Sequence, residues 1–215
     1  MDVALASLID HTALAAEVGE RDIERLCAEA TEYKFAAVCV NPVWVTLAHS
    51  IVAATDVAVC TVIGFPLGAS KTSCKVCETK TALEEGAVEF DVVMNIGAFL
   101  SGRDQLVKDD LRAVVEAAQG HPVKVIIETC TLDTEQIKHA CDLVMVSGAA
   151  FVKTSTGMHR SGANPRTVAL IRDIVGPDFG VKASGGIRNH QQAVAMRDAG
   201  ANRLGASASV QIMLA

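Results

Sequence analysis

The sequence predicts a single (β/α)8 barrel, a TIM barrel of the α/β class, from three observations. Short apolar, β-branched runs recur roughly every 25 to 30 residues with helical patterns between them, the spacing of repeated βα units. The chain is 50% hydrophobic but only 4% aromatic, so its core is built from Val, Ala, Ile and Leu. That composition suits parallel strands covered by helices. Its 215 residues suffice for one core, and no linker, low-complexity stretch or close repeat divides 1–215 into more than one domain. An open doubly wound sheet is the rival fold. It would normally carry a glycine-rich nucleotide turn after its first strand, and Asp10-His11-Thr12 is not one.

Each element has its own signal. The first strand, 8–12, ends in polar groups. Ile23, Leu26, Cys27 and Ala30 make one face of a helix over 20–33, with acidic residues near its start. The second strand, 35–40, turns at Asn41-Pro42, a cap followed by proline at the first helical position, into a helix over 43–54. The third strand, 57–64, closes in Gly64-Phe65-Pro66-Leu67-Gly68, and a helix over about 70–85 stops at Gly86. Strand four covers 88–94. A helical stripe of Val107, Leu111, Val114, Val115 and Ala118 is broken by His121-Pro122. Strand five, 123–127, runs into Glu128-Thr129-Cys130. Asp133 with Gln136 reads as a capping box for the next helix, which turns Ile137, Cys141 and Val144 inward. The Lys153 strand follows, then a helix capped at Asn164-Pro165, the Lys182 strand, a helix capped at Asn189 that ends at Gly200, and a last strand around 203–207.

Composition narrows the function. The net charge is -6, the pI about 5.5, and no basic stripe is visible, which argues against nucleic acid as the main partner. Seven cysteines, an odd number with Cys39, Cys60 and Cys130 in or at the ends of strands, suit a reducing cytoplasm. Cys74 and Cys77 form a lone C-x-x-C without a second pair at zinc spacing, so they read as helix packing. There is no basic-then-apolar leader pattern and no apolar run of membrane-spanning length.

The chemistry concentrates at strand exits. Phe151-Val152-Lys153-Thr154-Ser155-Thr156-Gly157 puts a lysine in an apolar run. Taken alone, a lysine snorkelling off an edge strand is the favoured reading. Gly180-Val181-Lys182-Ala183-Ser184-Gly185-Gly186-Ile187 repeats the design. Two interior lysines on one barrel can be neighbours, and a second cation promotes the neutral, nucleophilic form of the first. Glu89 and Asp91 fall on one face of strand four; the plainer alternative places one in water at the mouth and the other on a helix N-terminus. Asp91, Glu128, Lys153 and Lys182 all lie near strand exits, the end of such barrels that carries the active site. Ser184-Gly185-Gly186 and Gly205-Ala206-Ser207 follow strands seven and eight, where loops often hold phosphate on backbone amides and hydroxyls. Arg160 and Arg188 read first as solvated surface arginines. A neutral lysine, a nearby cation and a carboxylate suit carbon–carbon bond chemistry through an imine, with no metal and no cofactor. A phosphosugar isomerase or another lyase, with the lysines as binding cations, is the first alternative. A non-catalytic barrel that binds a phosphorylated metabolite is the second.

Seven motifs in this order resemble deoxyribose-phosphate aldolases over nearly the whole chain. They are Leu8-Ile9-Asp10-His11-Thr12, Val38-Cys39-Val40-Asn41-Pro42, the segment 62–68, the segment 89–97, Val123-Lys124-Val125-Ile126-Ile127-Glu128-Thr129, the Lys153 motif, and the Lys182 motif extended to Arg188. The resemblance implies a reversible, metal-independent cleavage of 2-deoxy-D-ribose 5-phosphate to D-glyceraldehyde 3-phosphate and acetaldehyde. It implies Lys153 as the Schiff-base nucleophile, Lys182 as the cation that lowers its pKa, and Asp91 as a proton relay through a water. It implies Gly185, Gly186, Gly205 and Ser207, with Ser184, as the phosphate site, and Asp10, Thr12, Cys39 and Thr156 as lining residues. It also implies a homodimer or larger assembly. Met158-His159-Arg160-Ser161-Gly162-Ala163-Asn164 departs from the aromatic or lysine and small residues expected in that loop, at the phosphate end. The chain ends soon after Ser209, so a contribution from a longer tail is expected to be missing or shortened.

Overall fold

β-Branched runs and capped amphipathic segments alternate along the chain, and in the computed structural model, which describes residues 2–214, they become strands and helices. After a short helix α1 (Val3–Ala6) come β1 (Ile9–Ala13), α2 (Glu20–Tyr33), β2 (Ala37–Val40), α3 (Val45–Val52), β3 (Ala58–Ile63), α4 (Thr72–Glu84) and β4 (Glu89–Val93). Then come α5 (Ile96–Leu100), α6 (Asp104–Ala117), β5 (Val123–Ile126), α7 (Thr134–Met145), β6 (Phe151–Lys153) and α8 (Pro165–Val175). The chain finishes with β7 (Gly180–Ser184), α9 (His190–Asp198), β8 (Arg203–Ala206) and α10 (Ser209–Leu214). The eight strands are parallel, pair in sequence order, and close when β8 returns to β1 with Asp10 opposite Gly205.

Closure sorts each strand's alternate residues to two environments. The outward set, Val38, Val40, Phe90, Val92, Val125, Val152, Val181 and Leu204, packs under the helices as the main core. The inward set divides by sector. Around β2 and β3 it is small and apolar, with Ala37, Cys39, Cys60 and Val62 packed beneath Leu14. Around β4 to β8 and β1 it carries the charged residues, set among Ile126, Phe151 and glycines.

Caps seat the helices at the expected boundaries. The Asp133 side chain accepts from Gln136 N while Gln136 accepts from Asp133 N. Asn164 and Asn189 accept from Thr167 N and Gln192 N. Asn41 differs. It precedes a 3-10 turn over Pro42–Trp44, and its amide reaches back to the Leu14 carbonyl at 3.3 Å instead of capping. Helices α1, α5 and α10 are too short to carry a visible period.

The Cys74–Cys77 pair corrects the sequence reading. Both thiols are exposed, and between them α4 buries Lys75, on the same face as Thr79 and Ala82. Its Nζ donates to Asp110 Oδ2 on α6 at 2.6 Å and to the Val93 carbonyl at 2.9 Å. Packing on this helix face is carried by an ion pair. Among the described residues no helix is long and apolar enough to cross a membrane.

Candidate active site

The register places the charges. Lys153 lies opposite Lys182, Asp91 opposite Lys124, and Lys182 opposite Arg203. All of these, with Asp10 and Glu89, therefore point into one half of the barrel interior. Lys153 Nζ donates to Asp91 Oδ2 at 2.7 Å, and Lys182 Nζ donates to the same oxygen at 2.6 Å. Lys182 also donates to Asp10. Lys124 Nζ lies 3.0 Å from Asp91 Oδ1, 2.7 Å from Glu89 Oε2 and 3.8 Å from Asp10 Oδ2. Below them Arg203 donates to Asp10 Oδ1 at 2.7 Å and grips both oxygens of Glu89 at 3.0 and 3.1 Å.

Three carboxylates thus face four cations in a largely buried space. Burial alone would raise the Asp91 carboxyl, but Lys124, Lys153 and Lys182 outweigh it and hold the group well below the usual carboxylate range. Asp10 is likewise opposed by burial and pulled down to about 2 by Lys182, Lys124 and Arg203. The same attractions overcome burial at Lys124 and Lys182 and hold both ammoniums above the usual lysine range. The alternative placement of Glu89 and Asp91, one in water and one on a helix end, does not occur. Both are buried in the ion cluster.

The cluster opens upward into a cavity of about 770 Å³ at the C-terminal ends of the strands. Lys153, Thr12, Thr156, Ser184, Gly185, Gly186, Gly205 and Ser207 line it. Asp10, Asp91, Cys39 and Lys182 lie beneath its floor, so among the cluster's cations only Lys153 meets the cavity. Gly185 and Gly186 have φ of 85° and 81°, a left-handed conformation that leaves their backbone bare at the wall. Ser184 is buried, and its hydroxyl donates to the Ser155 carbonyl at 2.6 Å, tying the two loops together. Ser207 is exposed at the rim. Arg188 is exposed yet lines the cavity, whereas Arg160 is turned away onto the Cys130 carbonyl.

Sequence reasoning passed over Lys124 and Arg203. Lys124 carried the same signal as the two chosen lysines, a cation within Val123-Lys124-Val125. Arg203 stands at a strand start, where an arginine reads as surface. Cys39, Cys60 and Asp91 place donor atoms within 4.8 Å of one another, as do Asp10, Cys60 and Glu89. In both sets the carboxylates are already engaged by lysines or Arg203, and burial pushes the Cys60 thiol well up. The donor set is matched to ammonium and guanidinium groups.

A closed parallel barrel with a buried lysine–carboxylate cluster beneath its mouth, one lysine of which reaches the cavity, fits a Schiff-base lyase. The chain belongs to the DeoC/LacD family of aldolases, whose pattern it matches over residues 4–212. Within that family it is similar to proteins named deoxyribose-phosphate aldolase. One from Geobacillus sp. (strain WCH70) is 53% identical over 214 residues, 99% of this chain and 96% of that protein. One from Exiguobacterium sibiricum is 56% identical over 210 residues, 97% of this chain and 95% of that protein. A solved deoxyribose phosphate aldolase from Aeropyrum pernix, described as a unique tetrameric structure, superposes with a TM-score of 0.92 at 37% identity. That match covers 98% of this chain and 89% of the other.

Proposed function

We propose that this aldolase reversibly cleaves 2-deoxy-D-ribose 5-phosphate to D-glyceraldehyde 3-phosphate and acetaldehyde through an imine on Lys153. The observation that carries the assignment is the position of Lys153, the one cation of the buried cluster that reaches the cavity. The open-chain substrate presents its C1 aldehyde to the Lys153 amine. Addition followed by loss of water gives a protonated imine. A base removes the C3 hydroxyl proton, the C2–C3 bond breaks, and its electron pair passes to C2 to form an enamine while C3 becomes the aldehyde of glyceraldehyde 3-phosphate. Protonation at C2 and hydrolysis of the imine release acetaldehyde and restore the amine.

The other roles follow from the cluster's charge. With three carboxylates against four cations, releasing one proton leaves the buried set neutral. Lys124, Lys182 and Arg203 each face two or more carboxylates; Lys153 faces Asp91 alone. Lys182 supplies the neighbouring charge, and Asp91, one hydrogen bond from the Lys153 nitrogen, relays protons through a water. Gly185, Gly186, Gly205 and Ser207 hold the phosphate on backbone amides and a hydroxyl, and Ser184 keeps their loop in place. Thr12 and Thr156 line the cavity, and Asp10 and Cys39 support its floor. The chain works as one domain over 1–215, in the cytoplasm, as a homo-oligomer, without cofactor and without nucleic acid. The tetramer of the Aeropyrum pernix relative supports the homo-oligomer, and the acidic charge argues against nucleic acid.

Borohydride reduction with acetaldehyde, followed by peptide mapping, tests the assignment. A stable adduct on Lys153 is expected, and Lys153→Ala should abolish both adduct and turnover. An adduct on Lys182 would exchange the two roles; no adduct in folded protein would overturn imine chemistry. Lys182→Ala removes the cation that shares Asp91 Oδ2 with Lys153. Turnover should fall at least tenfold at pH 7 and recover partly at high pH. Full-rate trapping by that variant at pH 7 would remove Lys182 from the mechanism.

A further inference from the structure

Glu128 stands outside the lysine cluster and has no part in the steps above, yet its setting is unusual. Three described non-glycine residues have positive φ. Lys34 and Gln119 are exposed and follow helices, where that conformation is ordinary. Glu128 is buried at the exit of β5, with φ 51° and ψ 63°. A left-handed conformation disfavours a side-chain-bearing residue by roughly 1–2 kcal/mol, and such sites persist where the surroundings over-determine them.

The surroundings here are the loop that leaves Lys153. Ile127 N donates to the Lys153 carbonyl and Thr129 N to the Thr154 carbonyl, which extends the β5–β6 ladder on both sides of Glu128. The left-handed turn throws its side chain across onto Thr156. Glu128 Oε2 accepts from Thr156 Oγ1 at 2.5 Å, and the carboxylate accepts from Thr156 N at 3.3 and 3.4 Å. Thr156 Oγ1 in turn accepts from Met158 N at 3.1 Å. The Thr156 hydroxyl proton is thereby committed to Glu128, and its oxygen faces the cavity only as an acceptor.

The clamped loop reaches the other side of the site. A Cβ on Gly185 would lie 2.9 Å from the Gly162 Cα and 3.3 Å from the Gly157 Cα. Ala163 N donates to the carbonyls of Ser184 and Gly185, both at 3.0 Å. The loop after β6 is thus packed backbone to backbone against the glycines after β7.

We infer that Glu128 is a positioning residue: through Thr156 it fixes the loop after Lys153 and, by way of Gly157 and Gly162, the Gly185 wall against which the substrate's phosphate lies. The kinetic readout rests on the function proposed above. Loss of the clamp should weaken binding of the phosphorylated substrate and spare attack of Lys153 on a small aldehyde.

The test uses Glu128→Gly, which keeps the left-handed turn without the carboxylate, and Glu128→Gln, which keeps an acceptor oxygen for Thr156. For Glu128→Gly, KM for 2-deoxyribose 5-phosphate should rise at least tenfold with kcat within about threefold, while borohydride trapping of acetaldehyde on Lys153 keeps its wild-type rate. Glu128→Gln should restore most of the loss. Glu128→Gly combined with Thr156→Val should be no worse than the poorer single variant. An unchanged KM, a parallel loss of trapping, a glutamine variant as poor as glycine, or additive effects would each overturn the clamp. If wild-type protein neither traps acetaldehyde nor turns over the sugar, the function proposal fails by itself. The clamp is then read from inorganic phosphate affinity, where Glu128→Gly should bind at least tenfold more weakly and equal affinity overturns it.

Discussion

Asp10 shows how one buried carboxylate links the site to stability. It has no exposure, and three cations hold its carboxyl at about 2 against an ordinary 3.8. A depressed carboxylate contributes stability above its unfolded pKa and loses it as pH falls through the folded value. Asp10 should therefore contribute roughly 2 kcal/mol above pH 4 that disappears toward pH 2. Urea unfolding between pH 4 and 2 checks this: Asp10→Asn should show a shallower acid dependence than wild type. An identical slope would mean that Asp10 is not held charged by its neighbours. Asp91→Asn belongs to the same scale. Imine trapping on Lys153 should persist while turnover falls by at least a hundredfold; unchanged turnover would remove Asp91 from the reaction.

Among the elements, α4 has the most unusual packing. Its buried face is Lys75, Thr79 and Ala82, and its contact with α6 centres on the Lys75–Asp110 pair, to which Thr72 Oγ1 adds a 2.8 Å hydrogen bond. Ala82 adds only a small apolar group to this face, which is why the sequence delimits α4 chiefly by its glycine stop. Removing one partner leaves the other charge buried and alone, at a loss of about 3–5 kcal/mol. Asp110→Ala should lower stability by that amount, and Lys75→Met with Asp110→Leu should recover most of it. Urea midpoints of the single and double variants decide the matter; equal losses in both would show that the helices need the pair for more than neutralisation. The capped helices behave differently. For α7, α8 and α9 the boundary residues and the hydrogen bonds they make coincide with the sequence signals, because a cap is a local interaction.

At the scale of the whole molecule, closure decides both stability and chemistry. No strand of the barrel has a free edge, since β1 pairs with both β2 and β8. The fold should come apart as one unit. Fluorescence of the single tryptophan, Trp44 on the rim between β2 and α3, and far-UV circular dichroism should report one coincident urea transition. Two separated transitions would break the one-domain reading, and a monomer in sedimentation would remove the homo-oligomer.

The strand–helix alternation, the capped boundaries and the motif lysines Lys153 and Lys182 were legible because each depends on residues near one another in the chain. Asp91 was legible only as a candidate, a carboxylate in an apolar strand that shares a face with Glu89. What lay beyond the sequence was everything that closure brings together from separate strands. Only the tertiary structure put Asp91 between the two lysines, added Lys124 and Arg203 to the same cluster, and set three carboxylates against four cations. It alone exposed Cys74 and Cys77 around a buried Lys75 and folded the Glu128 side chain onto Thr156. The reason is physical: backbone preference and helix capping act over a few residues, whereas the pairing of buried charges acts through space between side chains that the chain order keeps apart.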